Sequence, residues 1–267
     1  QQAVSYLRNE GAVSRVVSSR VSQSAVSEAS RAAESARSDV VSASSELSSA
    51  LVEAMSRTTS RYQSSNRTSG QSISSVEELG KSADSLRTIS DQVAKSTGLS
   101  SSQVSQIAFQ LSGGIGTPGI SPVRATASGN TGKSYSSNLT EQQQKVASEL
   151  TNDQLRQFRS FADRATRDQT FASALGAESR EGQELASRLS TATTRVDSAQ
   201  SVFAERQAVA KRLSTAYESG EALSIDLAQL PANSDFMRRY QRLAAEYGSD
   251  SLALQAAMAS ELATSAL

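Results

Sequence analysis

The chain has 267 residues, of which 37% are hydrophobic and 4% aromatic, and it lacks tryptophan, cysteine and histidine. Its 27 basic and 27 acidic residues cancel, so no broad field attracts nucleic acid or an anionic membrane surface. Without cysteine there is no disulfide or thiolate metal site, and without histidine the usual general base near neutral pH is missing. We therefore expect neither an enzyme nor a protein that holds a cofactor or a metal.

Small apolar residues recur at helical spacing through residues 21–62, as at Ala25, Ala29, Ala32, Ala36, Val40, Ala43, Leu47, Leu51 and Ala54. This stripe predicts a helix of about 40 residues, or roughly 60 Å. A second stripe over residues 73–93 predicts a helix packed antiparallel to the first. Ser100 and Gln103 form a capping box that opens a short third helix ending at Gly113.

Residues 112–137 break the helical pattern with six glycines and two prolines among serine and threonine. Such composition is typical of a linker between domains. We therefore predict an Ala/Ser-rich long-helix region at 1–111, a linker at 112–137 and a helical domain at 138–267.

Two glycine motifs lie inside this linker. Residues 127–134 read A-S-G-N-T-G-K-S, a relaxed phosphate-loop pattern that contains Lys133, and Gly114, Gly116 and Gly119 match G-x-G-x-x-G. A working loop of either kind follows a buried strand and opens a helix. The preceding residues 121–126 are too polar for a central parallel strand, so both matches are expected accidents of composition. Nucleotide binding through Lys133 stays the weakest hypothesis.

Helices resume at Asn138, which forms a predicted capping box with Glu141. The apolar face that follows is interrupted near Thr151; its members are Val146, Leu150, Leu155, Phe158, Phe161 and Ala162. A long helix is predicted over about residues 178–219. Beyond it, Gly220, Pro231 and Gly248 divide the chain into a short helix and two further helices.

The long helix carries a heptad ladder over residues 185–217. Stepping alternately four and three residues, it reads Leu185, Leu189, Ala192, Val196, Ala199, Phe203, Arg206, Ala210, Leu213 and Tyr217. This period produces one narrow apolar seam that packs against a partner helix. We assign seam packing to Leu185, Leu189, Val196, Phe203, Leu213 and Tyr217. The predicted fold is all-α, with elongated antiparallel helical hairpins in a coiled-coil-like bundle interrupted by a Gly/Pro/Ser-rich linker.

Charged clusters offer little chemistry. Glu77 and Glu78 are expected on a solvated helix face. Asp226 is the exception, because its two apolar neighbours favour partial burial of its side chain. Arg238, Arg239 and Arg242 flank Tyr240, but nearby carboxylates dilute any contact with nucleic acid. Aromatic residues supply much contact area at protein interfaces. We therefore take Phe109, Tyr240 and Tyr247 as candidates for partner binding, with internal core packing as the favoured alternative.

Residues from about 132 to 259 resemble the C-terminal region of the TraG family of conjugal-transfer mating-pair stabilisation proteins. The segments that carry this are K-S-Y-S-S-N (133–138), F-A-S-A-L-G (171–176), L-A-S-R-L (185–189), F-A-E-R (203–206), L-S-I-D-L-A (223–228), F-M-R-R-Y (236–240) and L-A-A-E-Y-G (243–248). The resemblance implies a larger parent protein, attached to the bacterial inner membrane through an N-terminal part, whose C-terminal region faces the periplasm. The chain begins with Gln and not Met, which favours an excised piece of this kind.

The resemblance also implies a role. In that family the region stabilises donor–recipient contacts during type IV secretion and takes part in entry exclusion, by recognising an exclusion protein in the recipient's inner membrane. It transfers no catalytic residue and no cofactor. We therefore expect a non-enzymatic interaction domain whose partners are that exclusion protein and other conjugation proteins. A structural coiled-coil rod that self-associates as a homo-oligomer stays open as the alternative.

Overall fold

The computed structural model describes residues 3–9, 12–68, 74–113, 139–167, 171, 175, 179–226, 234–247 and 251–264. Helices dominate these residues, so the predicted all-α bundle is confirmed, and a small antiparallel sheet is added to it. The helices are α1 (Gln23–Thr68), α2 (Ser74–Thr97), α3 (Ser101–Leu111), α4 (Glu141–Glu149), α5 (Asn152–Arg167), α6 (Arg180–Ser219), α7 (Asp235–Tyr247) and α8 (Ser251–Thr264). The strands are β1 (Ala3–Asn9), β2 (Ala12–Arg20) and β3 (Ala222–Asp226).

The chain divides into two compact units. Unit 1 combines Gln1–Arg37 with Ser201–Leu267, and unit 2 is the continuous stretch Ser38–Gln200. Helices α1 and α6 each supply residues to both units.

Unit 2 is built around four phenylalanines that are almost completely buried. Phe109 meets Phe158 edge-on at 5.1 Å between ring centroids, and Phe161 meets Phe171 in the same way at 5.6 Å. Edge-to-face contact is the geometry that aromatic quadrupoles favour. Leucines surround the rings; those buried most completely are Leu51, Leu86, Leu150, Leu175 and Leu185. Each such side chain contributes about 1.5–3 kcal/mol through burial, which makes this the main core of the unit.

This core corrects the predicted division into domains at residues 112–137. Phe109 and Phe158 lie on opposite sides of that segment in the sequence but in one continuous core. Glycine and proline in a sequence predict a local break in the helix. They do not predict whether the helices on either side of the break pack together. Residues 114–138, with Lys133 and both glycine motifs, lie outside the described residues.

Helices α1 and α6 run antiparallel within unit 2. Glu46 accepts a hydrogen bond from Arg195, and Glu53 accepts one from Arg188, each at 2.7 Å in its shortest contact. Residue numbers thus rise along α1 while those of the partners fall along α6. The two rungs are one heptad apart on both helices, which is the spacing of flanking charges in a coiled coil.

Side-chain caps begin the shorter helices of unit 2. The predicted box of Ser100 and Gln103 is confirmed at the start of α3. The box predicted at Asn138 and Glu141 is wrong, because Thr140 is the N-cap of α4 and exchanges hydrogen bonds with Gln143. A polar residue followed three positions later by Glu or Gln occurs twice in this stretch, so the pattern alone does not determine which pair caps the helix.

Unit 1 contains the sheet, in the order β1-β2-β3 with antiparallel neighbours. Val17 pairs with Ile225, so the strand before α1 lies beside the strand after α6. The short helix predicted after Gly220 is therefore wrong, because residues 222–226 form β3. Strand pairing with distant residues overrides weak local propensity here. Leu223 on β3 packs against both small hydrophobic clusters of the unit.

One of these clusters joins α1 to α6, and the other joins α7 to α8. The first contains Val21, Val209, Leu213 and Ala216, and the second contains Phe236, Leu254, Ala257 and Met258. Gln255 on α8 is 2% exposed; its Oε1 accepts hydrogen bonds from the Ser22 amide and hydroxyl, and its Nε2 donates to the Arg20 carbonyl. This side chain therefore fastens α8 to the junction between β2 and α1.

Candidate protein-interaction groove

Part of the heptad seam of α6 is buried, and the helices that cover it belong to the same chain. Leu185, Leu189 and Val196 belong to the core of unit 2, and Leu213 belongs to the first cluster of unit 1. Phe203 is half-buried. Within each unit, therefore, these leucines and the valine already have packing partners.

The predicted seam is wrong at its C-terminal end, because the side chain of Tyr217, which was assigned to seam packing, is 44% exposed. The buried positions there are Val209, Leu213 and Ala216. Successive residues of an α-helix are about 100° apart, so burial of Ala216 turns Tyr217 towards solvent. A heptad ladder fixes spacing but does not distinguish neighbouring registers when alanine is present in both.

The aromatic candidates for partner binding have different environments. Phe109 is completely buried against Phe158 and Phe161, which excludes it as an exposed anchor. Tyr240 is half-buried and stacks on Phe236 with 6.3 Å between ring centroids. The side chain of Tyr247 lies outside the described residues, although its backbone ends α7.

Unit 1 carries a groove of about 420 Å³ bounded by α1, α6, α7 and α8. Its lining is apolar and mostly small: Ala25, Ala29 and Ala32 from α1, Val209 and Leu213 from α6, Leu243 from α7, and Ala256 and Ala259 from α8. The α1 stripe was predicted, but the groove itself depends on how four distant segments assemble. Small side chains leave room between the helices that larger ones would fill.

Charged residues surround this apolar lining. Arg206, Arg239 and Arg242 carry positive charge at the groove, and Glu28 and Glu205 carry negative charge. Within the part of the chain that the structure describes, none of the five forms an ion pair. Four of them are exposed and Glu205 is half-buried. The groove therefore presents charges that remain open to an incoming partner.

Arg238, on the same helix α7 as Arg239 and Arg242, differs from them because it forms an ion pair. Its Nη2 lies 2.8 Å from Asp235 Oδ1, one helical turn away, and it does not line the groove. The predicted basic cluster of α7 thus separates into one arginine paired within the helix and two arginines at the groove. Sequence reasoning missed Glu28 and Glu205; the available signal for Glu28 was its position beside Ala29, at the edge of the predicted stripe.

A second groove, of about 490 Å³, lies between α1 and α6 in unit 2. Its edges are the rungs Glu46–Arg195 and Glu53–Arg188, and serine and threonine line much of the space between them. Since these four charges are paired within the chain, this groove presents fewer available charges to a protein partner than the groove of unit 1 does.

The described residues hold little else that indicates chemistry. Glu77 lies 2.7 Å from Lys81 on α2, and its hydrogen bond and charge raise the pKa of that lysine above its ordinary 10.5. Glu78 is exposed, and the side chain of Asp226 is outside the described residues. Across the ranges described, no three or more aspartates or glutamates come together as a metal site. None of the described helices combines the length and the apolar character needed to cross a membrane.

Comparisons of the chain with family models, with curated proteins and with solved structures find no match.

Proposed function

We propose that this chain is a non-enzymatic protein-interaction domain of a conjugation protein of a type IV secretion system. In this proposal it stabilises mating pairs and recognises an exclusion protein in the recipient's inner membrane. It acts on the periplasmic side of the donor's inner membrane, to which the N-terminal part of a larger parent protein would attach it. Other conjugation proteins are further partners in this scheme.

The observation that carries this proposal is the convergence of separate segments on one groove. F-A-E-R at 203–206 contributes Glu205 and Arg206, F-M-R-R-Y at 236–240 contributes Arg239, and the segment at 243–248 contributes Leu243. These are segments on which the resemblance to TraG proteins depends. A groove that gathers them, with charges that form no ion pair among the described residues around an apolar lining, has the character of a protein-binding surface.

The alternative function is a structural coiled-coil rod that self-associates. It requires an apolar seam that is free for a second copy. Leu185, Leu189 and Val196 are buried against helices of the same chain, which weighs against that requirement. Among the described residues, the large apolar side chains of α6 that remain well exposed are Val202 and Tyr217, and they are about four turns apart. These two residues are the observation that favours the alternative.

Co-purification tests the proposed function. The chain is immobilised and incubated with detergent-solubilised inner membranes of recipient cells that produce the cognate exclusion protein, and in parallel with membranes that produce the exclusion protein of an unrelated plasmid. We expect capture of the cognate protein alone. Capture of neither protein, or equal capture of both, contradicts the proposal. Sedimentation of the purified chain tests the alternative, which requires a discrete oligomer that Val202→Ser and Tyr217→Ser together dissociate.

A further inference from the structure

The groove of unit 1 has walls that match the side-chain spacing of a helix. On α1 the lining residues Ala25, Ala29 and Ala32 step by four and then three. On α6 the lining residues Arg206, Val209 and Leu213 step by three and then four. Each wall is thus about two helical turns long, or roughly 10–12 Å. Walls with this spacing form holes that accept side chains at positions i, i+4 and i+7 of a further helix.

The lining is also apolar enough to bind such side chains. The lining residues Val209 and Leu213 are buried, and the alanines of α1 and α8 that border the groove are partly buried. Transfer of apolar side chains from water into this space stabilises a complex by about 25 cal/mol for each Å² of apolar surface covered. Because the lining side chains are small, a partner helix can approach the walls closely.

The charges determine the kind of helix. Arg239 and Arg242 are three residues apart, so they lie on the same side of α7. Both are exposed, and with Arg206 they give the groove three positive charges against the two of Glu28 and Glu205. Carboxylates at i, i+3 or i+4 spacing along one flank of a partner helix complement the two α7 guanidinium groups, which bind carboxylates through two parallel hydrogen bonds.

We infer that the groove of unit 1 binds an amphipathic helix of a protein partner, one with an apolar stripe at i, i+4, i+7 and carboxylates on the flank that faces Arg239 and Arg242. This inference rests on the proposed function and names the site and the chemistry of its partner. The apolar stripe supplies the contact area, and the carboxylates fix the direction and register of the helix and raise its association rate.

A synthetic peptide tests the inference directly. A fluorescein-labelled helical peptide of about three heptads carries leucine and alanine on one face and glutamate along one flank. A control peptide has lysine at every glutamate position. Fluorescence anisotropy with the full chain should show binding of the acidic peptide, weaker binding at higher salt, and none of the lysine peptide. Equal binding of the two peptides, or binding of neither, overturns the inference.

Variants locate the binding and provide a matched control. Arg239→Ala combined with Arg242→Ala should weaken binding of the acidic peptide by about tenfold or more. Arg238→Ala removes an arginine of the same helix that is paired with Asp235, and it should leave affinity within about twofold. Circular dichroism confirms that each variant retains its helix content. Equal losses for the double variant and for Arg238→Ala overturn the inference.

The same variants separate failure of the inference from failure of the proposed function. If the double variant loses the acidic peptide and also the cognate exclusion protein, both are supported. If it still captures the exclusion protein as the wild type does, the groove inference is overturned and the proposed function stands. If the wild-type chain binds the acidic peptide but captures no exclusion protein, the proposed function fails and the groove inference stands. If sedimentation shows a wild-type dimer that the double variant dissociates, a second copy occupies the groove and the inference is overturned.

Discussion

The ring of Phe109 meets that of Phe158 edge-on, with 5.1 Å between centroids and 87° between ring planes. This contact joins two stretches of chain that the glycine-rich segment at 112–137 separates in the sequence. Unit 2 depends on both stretches for its core, so neither should form it alone.

Phe109→Ala should lower the free energy of unfolding by about 3–5 kcal/mol, because it removes a completely buried ring and leaves a cavity. Urea unfolding followed by circular dichroism measures the change. Tyr217→Ala is the matched control, since that exposed ring should change stability by no more than about 0.5 kcal/mol. A loss below about 1 kcal/mol for Phe109→Ala contradicts burial of this ring against Phe158.

The separate fragments 1–111 and 139–267 should each show reduced helix content compared with their share of the intact chain. Each exposes half of the unit 2 core, and burial rather than propensity stabilises most protein helices. Mixing the two fragments should recover helix content. Cooperative thermal unfolding of both isolated fragments, with no gain on mixing, is the contrary result.

Gly80→Ala should destabilise unit 2 even though alanine favours helix over glycine. A Cβ atom at Gly80 would meet Tyr62 Cβ and Cγ at 2.5 Å, so the helices α1 and α2 would have to move apart. We expect a loss of about 1–3 kcal/mol in the free energy of unfolding. In a Tyr62→Gly background the clashing side chain is absent, and Gly80→Ala should become neutral or stabilising. An equal loss in both backgrounds rules out this clash as the cause.

Reversal of the charge at Glu53 tests the antiparallel pairing of α1 and α6. Glu53→Lys places a positive charge beside Arg188 and should lower stability by about 0.2–1 kcal/mol, the range for exposed pairs. Adding Arg188→Glu restores an attractive pair and should recover most of the loss. The recovery should decrease at high salt, which screens exposed charges. Strictly additive effects of the two changes would show that the rung makes no contribution.

Gln255→Leu should destabilise unit 1 by about 1–3 kcal/mol. The substitution leaves the Ser22 amide and the Arg20 carbonyl without their side-chain partner in a partly buried position. Gln255→Glu keeps the acceptor for Ser22 but loses the donor to Arg20, so its loss should be intermediate. Hydrogen exchange at the Ser22 amide measures the local effect and should accelerate more in the leucine variant. Unchanged exchange in both variants would contradict the role of this side chain.

Much of the helical architecture follows from local patterns. The stripes of α1 and α2, the break at Thr151, the capping box of α3 and the extent of α6 depend on residues close together in the sequence, and the structure agrees with each. Strand β3 was missed because it pairs with β2, which is far away along the chain. The three valines within residues 13–17 were the local signal for a strand, because β-branched residues favour strands.

The groove of unit 1 could also be predicted only in part from the sequence. Ala25 and Ala29 were predicted on one helix face, and Arg239 and Arg242 in one basic cluster. That the two sets border one cavity depends on how α7 and α8 pack beside α1, and no periodicity records that arrangement. Phe109 was wrongly taken as a binding candidate for a related reason. The sequence pattern around a helical aromatic residue is the same whether the residue lies in a core or at an interface.

The division of the chain into a continuous and a discontinuous unit has a consequence for biosynthesis. Residues 38–200 leave the ribosome as one stretch, so unit 2 can fold while translation continues. Strand β2 leaves the ribosome before unit 2 but must wait for β3, since Val16 pairs with Asp226 about 210 residues later. The nascent chain therefore carries an unsatisfied strand edge while the residues between β2 and β3 are made, and a chaperone that shields this segment would act before any groove exists.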